Sequence, residues 1–159
     1  MIENKLIEVL RIIVERLEQQ KFKWVLVGSA SLALQNVKIK PGDVDILTDG
    51  DDALKMNEIF KDFKVRDVEF KTSEIFESYF GEFNINGVKV EIMGDLKEKI
   101  DGEWTSLKDR LKRTEYVEVD SFKVPVSPLS EQLVSYEKLG REKDKVKVEL
   151  IREALNNKS

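Results

Sequence analysis

Two stretches decide the fold: Phe22-Lys23-Trp24-Val25-Leu26-Val27-Gly28-Ser29 and, beyond residues 30–42, Asp43-Val44-Asp45-Ile46-Leu47. Phe22 to Val27 is rich in β-branched and aromatic residues and ends at Gly28; Ser29-Ala30-Ser31-Leu32-Ala33-Leu34 is small and helix-compatible. The pattern predicts a strand that turns into a helix at Gly28-Ser29. Pro41-Gly42 interrupts the chain, and the alternation of acid and apolar residues from Asp43 to Leu47 then predicts a second strand, with Thr48-Asp49-Gly50 as its exit.

Side chains alternate across a strand, so Asp43 and Asp45 share one face, about 6.6 Å apart along it, while Val44 and Ile46 turn to the core. Two carboxylates on one face repel each other unless a cation neutralises them, and oxygen ligands of this kind suit Mg²⁺ or Mn²⁺. The competing reading is a solvent-facing strand with ordinary surface acids, although Asp is depleted in strands. Gly28-Ser29 admits two readings as well. One is a plain strand-to-helix turn. The other is a phosphate cradle, in which glycine permits close backbone approach and the helix N-terminus offers free N–H groups. Neither GxGxxG nor GxxxxGK occurs.

Upstream, Ile2, Leu6, Val9, Leu10, Ile13 and Leu17 recur at helical spacing and predict an amphipathic helix. Downstream, Asp51 or Asp52 is expected to cap a third helix that buries Leu54, Met56, Ile59, Phe60 and Phe63. Phe76 to Ile85 and Gly87 to Met93 flank Asn86-Gly87, which favours a tight hairpin. In its second strand Lys89, Glu91 and Met93 face away from Val88, Val90 and Ile92, so Glu91 joins the two aspartates if the strands are neighbours. Gly94-Asp95 is expected to open a helical stretch past Leu96 and Ile100. A basic segment, with Lys108, Arg110, Lys112 and Arg113, then leads to a second hairpin, Tyr116 to Val119 and Phe122 to Val126, turning at Asp120-Ser121. After Pro128, Leu129, Leu133 and Leu139 mark one helix and Val146, Leu150, Ile151 and Leu155 another.

The 159 residues match one domain in size, and 41% hydrophobic with 36% charged residues fits a folded protein. With 27 basic and 31 acidic residues the net charge is −4, which argues against a general nucleic-acid coat protein. The chain has neither Cys nor His. That excludes disulfides, thiolate and imidazole catalysis, and the usual zinc sites, and leaves acid–base and metal chemistry to carboxylates, Lys, Tyr and hydroxyls. No apolar run approaches the roughly 20 residues of a bilayer span, so a cytoplasmic protein without a membrane partner is expected.

Val27-Gly28-Ser29, then Asp43-Val44-Asp45-Ile46, then a strand bearing Glu91 resembles the nucleotidyltransferase superfamily typified by DNA polymerase beta. Its signature is apolar-Gly-[Gly/Ser], a short helix and loop, then Asp-apolar-[Asp/Glu]-apolar. Gly87-Val88-Lys89-Val90-Glu91-Ile92-Met93-Gly94-Asp95 resembles the third-carboxylate strand of small stand-alone prokaryotic members related to toxin–antitoxin and antibiotic-modifying enzymes. Leu129-Ser130-Glu131-Gln132-Leu133 and Lys138-Leu139-Gly140-Arg141-Glu142-Lys143-Asp144 are similar to their C-terminal helices. The third acid of such proteins is usually Asp and here is Glu91, and Gly42 stands where many relatives have Ser or Thr.

The resemblance implies an α+β fold, a nucleotidyltransferase-like mixed sheet flanked by helices with a C-terminal helical extension. It implies one domain over 1–159, with a core at about 22–126 and helices at about 128–156. It further implies that Asp43, Asp45 and Glu91 are both catalytic and metal-binding, with Mg²⁺ or Mn²⁺ as cofactor. Gly28, Ser29, Lys138 and Arg141 would bind a nucleoside triphosphate. A nucleoside monophosphate would pass to an acceptor hydroxyl with release of pyrophosphate. The acceptor would be a small molecule, a protein side chain or an RNA 3′ end, with a cognate antitoxin or helical partner protein also expected. About 110 residues follow Thr48, little room for templated synthesis. The alternative is a catalytically weak member of the same fold that serves as a nucleotide- or partner-binding module.

Overall fold

The computed structural model describes residues 2–157. Helix α1 (Asn4–Glu18) buries Leu6, Val9, Leu10, Ile13, Val14 and Leu17, the face its sequence spacing predicts. Strand β1 (Trp24–Val27) runs directly into the short helix α2 (Gly28–Leu34), and β2 (Val44–Thr48) follows a loop. Helix α3 (Gly50–Ile59) comes next, then β3 (Lys64–Thr72), β4 (Phe76–Ile85), β5 (Val88–Ile100) and β6 (Glu103–Ser106). A 3-10 turn over Lys108–Lys112 leads to β7 (Glu115–Val119) and β8 (Phe122–Val126), and helices α4 (Leu129–Leu139) and α5 (Glu142–Asn157) follow.

The strands form one mixed sheet in the order β3-β4-β5-β2-β1-β8-β7, with β6 paired to β5. The fold is α+β, as the sequence predicts. β2 lies antiparallel to β1 and parallel to β5, which brings the two acid-bearing strands side by side. Alternation along the strands separates two faces. Leu26, Val44, Ile46, Val90 and Ile92 pack with α1, Met56 and Phe60, whereas Val25, Leu47 and Leu96 form a smaller cluster with Val27, Met93, Leu107 and Leu111. A third cluster joins Leu32 and Val37 to Leu129, Ile151 and Ala154, so the C-terminal helices dock on the segment that follows Gly28.

Several local expectations are corrected. Gly94 to Ile100 is strand, not helix. Leu96 and Glu98 are buried between the more exposed Lys97 and Lys99, a period of two. Asp95 takes a positive φ of 52°, and β4–β5 pairing shifts register there. This bulge carries the buried set from the α1 face, with Val90 and Ile92, to the opposite face, with Leu96. The cap of α3 is Asp49, which accepts from the Asp52 N–H at 2.8 Å, and not Asp51 or Asp52. Leu54 on α3 and Val146 on α5 are exposed rather than buried, because the helices turn Ala53, Met56, Val148 and Ile151 inward instead. The Asn86-Gly87 hairpin forms with β4 bounded at Phe76 and Ile85, and the second hairpin turns at Asp120-Ser121. No helix among the described residues is long and apolar enough to cross a membrane.

Candidate active site

The parallel pairing of β2 with β5 sets Asp45 directly opposite Glu91, and the antiparallel pairing with β1 sets it opposite Val27. Asp43 lies immediately before β2, half exposed at the mouth of the same face. Burial pushes the Asp45 carboxyl up to about 7, with repulsion from Glu91 and Asp43 adding to it and Lys147 and Lys89 opposing it. Desolvation likewise raises Glu91; Lys89 opposes this, and Asp43 and Glu82 reinforce it. The Lys89 ammonium lies 3.9 Å from Asp43 and 4.0 Å from Glu91 and partly balances the acids.

Gly28 is placed by the same contact. Its φ of 78° lies in the left-handed region, and a Cβ there would overlap the Asp45 carboxylate. The Gly28 N–H, which the sequence aims at a phosphate tail, instead donates to Oε1 of Gln132 on α4 at 3.1 Å. Gln132 is 1% exposed, and its Nε2 donates to Ser31 Oγ at 3.0 Å and to the Ser127 carbonyl at 2.9 Å. Ser29 Oγ accepts from the Gly42 N–H at 2.9 Å and ties the loop before Asp43 to the start of α2. That hydroxyl keeps its own hydrogen for a further acceptor. Gln132 is a structural anchor that carries no chemical signature in sequence; only the packing of α4 over Gly28 reveals it.

A cleft of about 310 Å³ opens between this face of the sheet and the C-terminal helices, and Gly28, Asp45 and Glu91 line it. Arg141 also lines it, stacked 5.2 Å above the Phe76 ring and held by the buried Asp144 through Nε at 2.6 Å and Nη2 at 3.0 Å. Asp144 accepts the Arg141 backbone N–H as well, at 3.1 Å, which closes the start of α5. Lys138 does not join the cleft: it is exposed on α4 and absent from the lining. Besides Arg110 and Arg141, the cations that line it are Lys143 and Lys147, one helical turn apart on α5. Burial lowers the Lys147 pKa, with Asp144 opposing. Their i, i+4 spacing is visible in sequence, but only the docking of α5 says which face meets Asp45.

The basic segment is split, with Lys108, Lys112 and Arg113 exposed and Arg110 not. Arg110 turns inward to the cleft and donates to the Glu131 carbonyl at 3.1 Å, Arg113 is bonded to the Glu131 carboxylate, and Lys112 lies 3.6 Å from Asp109.

Asp43, Asp45 and Glu91 supply the hard oxygen donors that a divalent cation such as Mg²⁺ takes, and the raised Asp45 marks negative charge that a cation would relieve. With Lys89 among them, the acids form no closed metal-ligating group among the described residues.

The family model for aminoglycoside-2''-adenylyltransferase matches residues 9–151. A candidate nucleotidyltransferase from Thermotoga maritima has a similar structure, with a TM-score of 0.84 and 40% identity, over 99% of this chain and 96% of that one. The lincosamide antibiotic adenylyltransferase LnuA, with lincomycin bound, shares the fold at a TM-score of 0.59 and 16% identity, over 96% of this chain and 97% of that one. No curated protein matches the sequence significantly. The paired strands, the Gly28 turn and these likenesses agree that the chain belongs to the aminoglycoside-2''-adenylyltransferase family, within the nucleotidyltransferases.

Proposed function

We propose that this protein transfers a nucleoside monophosphate from a nucleoside triphosphate to an acceptor hydroxyl, with Mg²⁺ or Mn²⁺ as cofactor and pyrophosphate as the second product. The observation that carries the reading is the register of Asp45 against Glu91 beside the Gly28 turn, with Asp43 at the mouth. In this reading Asp43, Asp45 and Glu91 hold the divalent cation, which when bound polarises the phosphoryl oxygens and offsets charge on the leaving pyrophosphate. Arg141, Lys143 and Lys147 neutralise the phosphate tail from the helical side, and the Ser29 hydroxyl donates to it. Glu91 accepts the proton of the attacking hydroxyl, and desolvation raises its pKa above the ordinary carboxylate value, which favours the proton's acceptance. The α-phosphorus bond to the acceptor oxygen forms as the bond to pyrophosphate breaks.

The family description makes an aminoglycoside hydroxyl the first acceptor to try. An RNA 3′ end and a hydroxyl side chain of a helical partner such as a cognate antitoxin come next. The deciding experiment is metal-dependent pyrophosphate release from each nucleoside triphosphate with this acceptor panel, in wild type and Asp45→Asn. Release that needs the metal and is lost in Asp45→Asn supports the reading. Triphosphate binding with no release for any acceptor favours the binding-module alternative, and no binding at all overturns both.

A further inference from the structure

Glu98 is a buried carboxylate that no step above uses. It is 5% exposed, yet it lines the cleft that holds Asp45 and Glu91, because the Asp95 bulge turns this part of β5 onto the cleft face. Its hydrogen-bond partner is Ser135 of α4, whose Oγ lies 2.6 Å from Oε1 and 2.8 Å from Oε2. A hydroxyl has one hydrogen, so this contact satisfies one of roughly four acceptor positions on the carboxylate. Arg110 is close enough for Glu98 to act on its charge, and its Nη2 is engaged with the Glu131 carbonyl.

The surroundings select what Glu98 can receive. The carboxylate repels a phosphate, and Arg110 beside it is engaged with the Glu131 carbonyl; Lys143 and Lys147 stand on α5 and Arg141 just before it, whereas Ser135 holds Glu98 beneath α4. Leu96, Leu107 and Leu139 give this part of the cleft apolar surface for a flat heterocycle, beside the Phe76 and Tyr136 rings, which carry Arg141 and Lys147 on one face each. A carboxylate offers acceptor oxygens, so the heterocycle must present N–H groups.

We propose that Glu98, held by Ser135, reads the base of the nucleotide and selects adenine, guanine or cytosine over uracil. This rests on the nucleotide reading of the cleft. An exocyclic amino group donates to the carboxylate, whereas the one ring N–H of uracil is flanked by two carbonyl oxygens that the carboxylate repels. Glu98 is a specificity residue, apart from the phosphate-transfer machinery.

The test is calorimetric titration of ATP and UTP, with Mg²⁺, into the full chain as wild type, Glu98→Gln and Ser135→Ala, with folding followed by circular dichroism. Wild type is expected to bind ATP at least about tenfold tighter than UTP, the scale of one hydrogen bond to a charged group. Glu98→Gln, which can still accept from Ser135 but can also donate to a carbonyl, narrows the gap to within about threefold. Ser135→Ala keeps the charge without its tether and falls between; should Glu98→Gln fail to fold, a narrowed gap in Ser135→Ala stands as support. Equal binding of ATP and UTP by wild type overturns the proposal while leaving nucleotide binding intact. So does a gap that neither variant narrows. Failure of wild type to bind any triphosphate removes the underlying reading along with it.

Discussion

The Asp45 carboxylate occupies the space that a side chain on Gly28 would need. The strand-to-helix turn and the central acid are therefore one arrangement: the turn requires glycine both for its left-handed φ of 78° and for the acid behind it.

Gly28→Ala is accordingly expected to lower stability by about 2 kcal/mol or more, from left-handed backbone strain plus the overlap. Urea unfolding measures it. In the Gly28→Ala/Asp45→Ala double variant the overlap is relieved, so the combined loss should fall short of the sum of the single losses. Strict additivity would dissolve the coupling.

Asp45 also makes stability depend on pH. Its folded pKa of about 7 exceeds its ordinary value of 3.8, so the native state binds more protons between those limits. Its favourable contribution is complete below about 4 and is lost as pH rises through about 7. Thermal melts of metal-free protein should show Asp45→Asn more stable than wild type at pH 8, by up to about 4 kcal/mol, with the difference shrinking toward pH 5. A pH-independent difference would contradict the assignment.

Removing the anchor behind Gly28 leaves the buried Gly28 N–H without its acceptor. Gln132→Ala strips the Gly28 N–H of its acceptor and Ser31 Oγ and the Ser127 carbonyl of a donor each, although Gln35 Nε2 still reaches both oxygens. The expected cost is about 1–3 kcal/mol in denaturant unfolding.

Lys143→Met and Lys147→Met should each weaken triphosphate binding about tenfold, because charge-assisted contacts to the phosphates are lost. Lys138→Met, on the exposed side of α4, should leave the affinity unchanged. Titration calorimetry on the three variants separates them, and an effect confined to Lys138 would reverse the assignment.

Legibility followed the range of the forces involved. The Asn86-Gly87 hairpin, the α1 face and the turn at Gly28 were readable because turn chemistry and periodicity act over a few residues. Gly94 to Ile100 is strand where the sequence suggests helix, because the bulge at Asp95 breaks the alternation and Leu96-Lys97-Glu98-Lys99 alone is compatible with helix. The resemblance implies Lys138 and Arg141; Lys143 and Lys147 are not legible as cleft residues, because local sequence does not say which face of α4 or α5 meets the cleft.

The sequence by itself determined the chemistry on offer. Without Cys or His, with Asp43, Asp45 and Glu91 set in strands and Gly28-Ser29 at a strand's end, it offers carboxylate and divalent-metal chemistry, and the family resemblance implies nucleotidyl transfer. Tertiary structure alone decided the partnerships: Asp45 opposite Glu91, Gln132 holding Gly28, α5 turning Lys147 toward the acids and the bulge carrying Glu98 into the cleft. Each depends on pairing between segments far apart in the chain, where register and docking are set by burial of whole faces and not by any neighbouring residue.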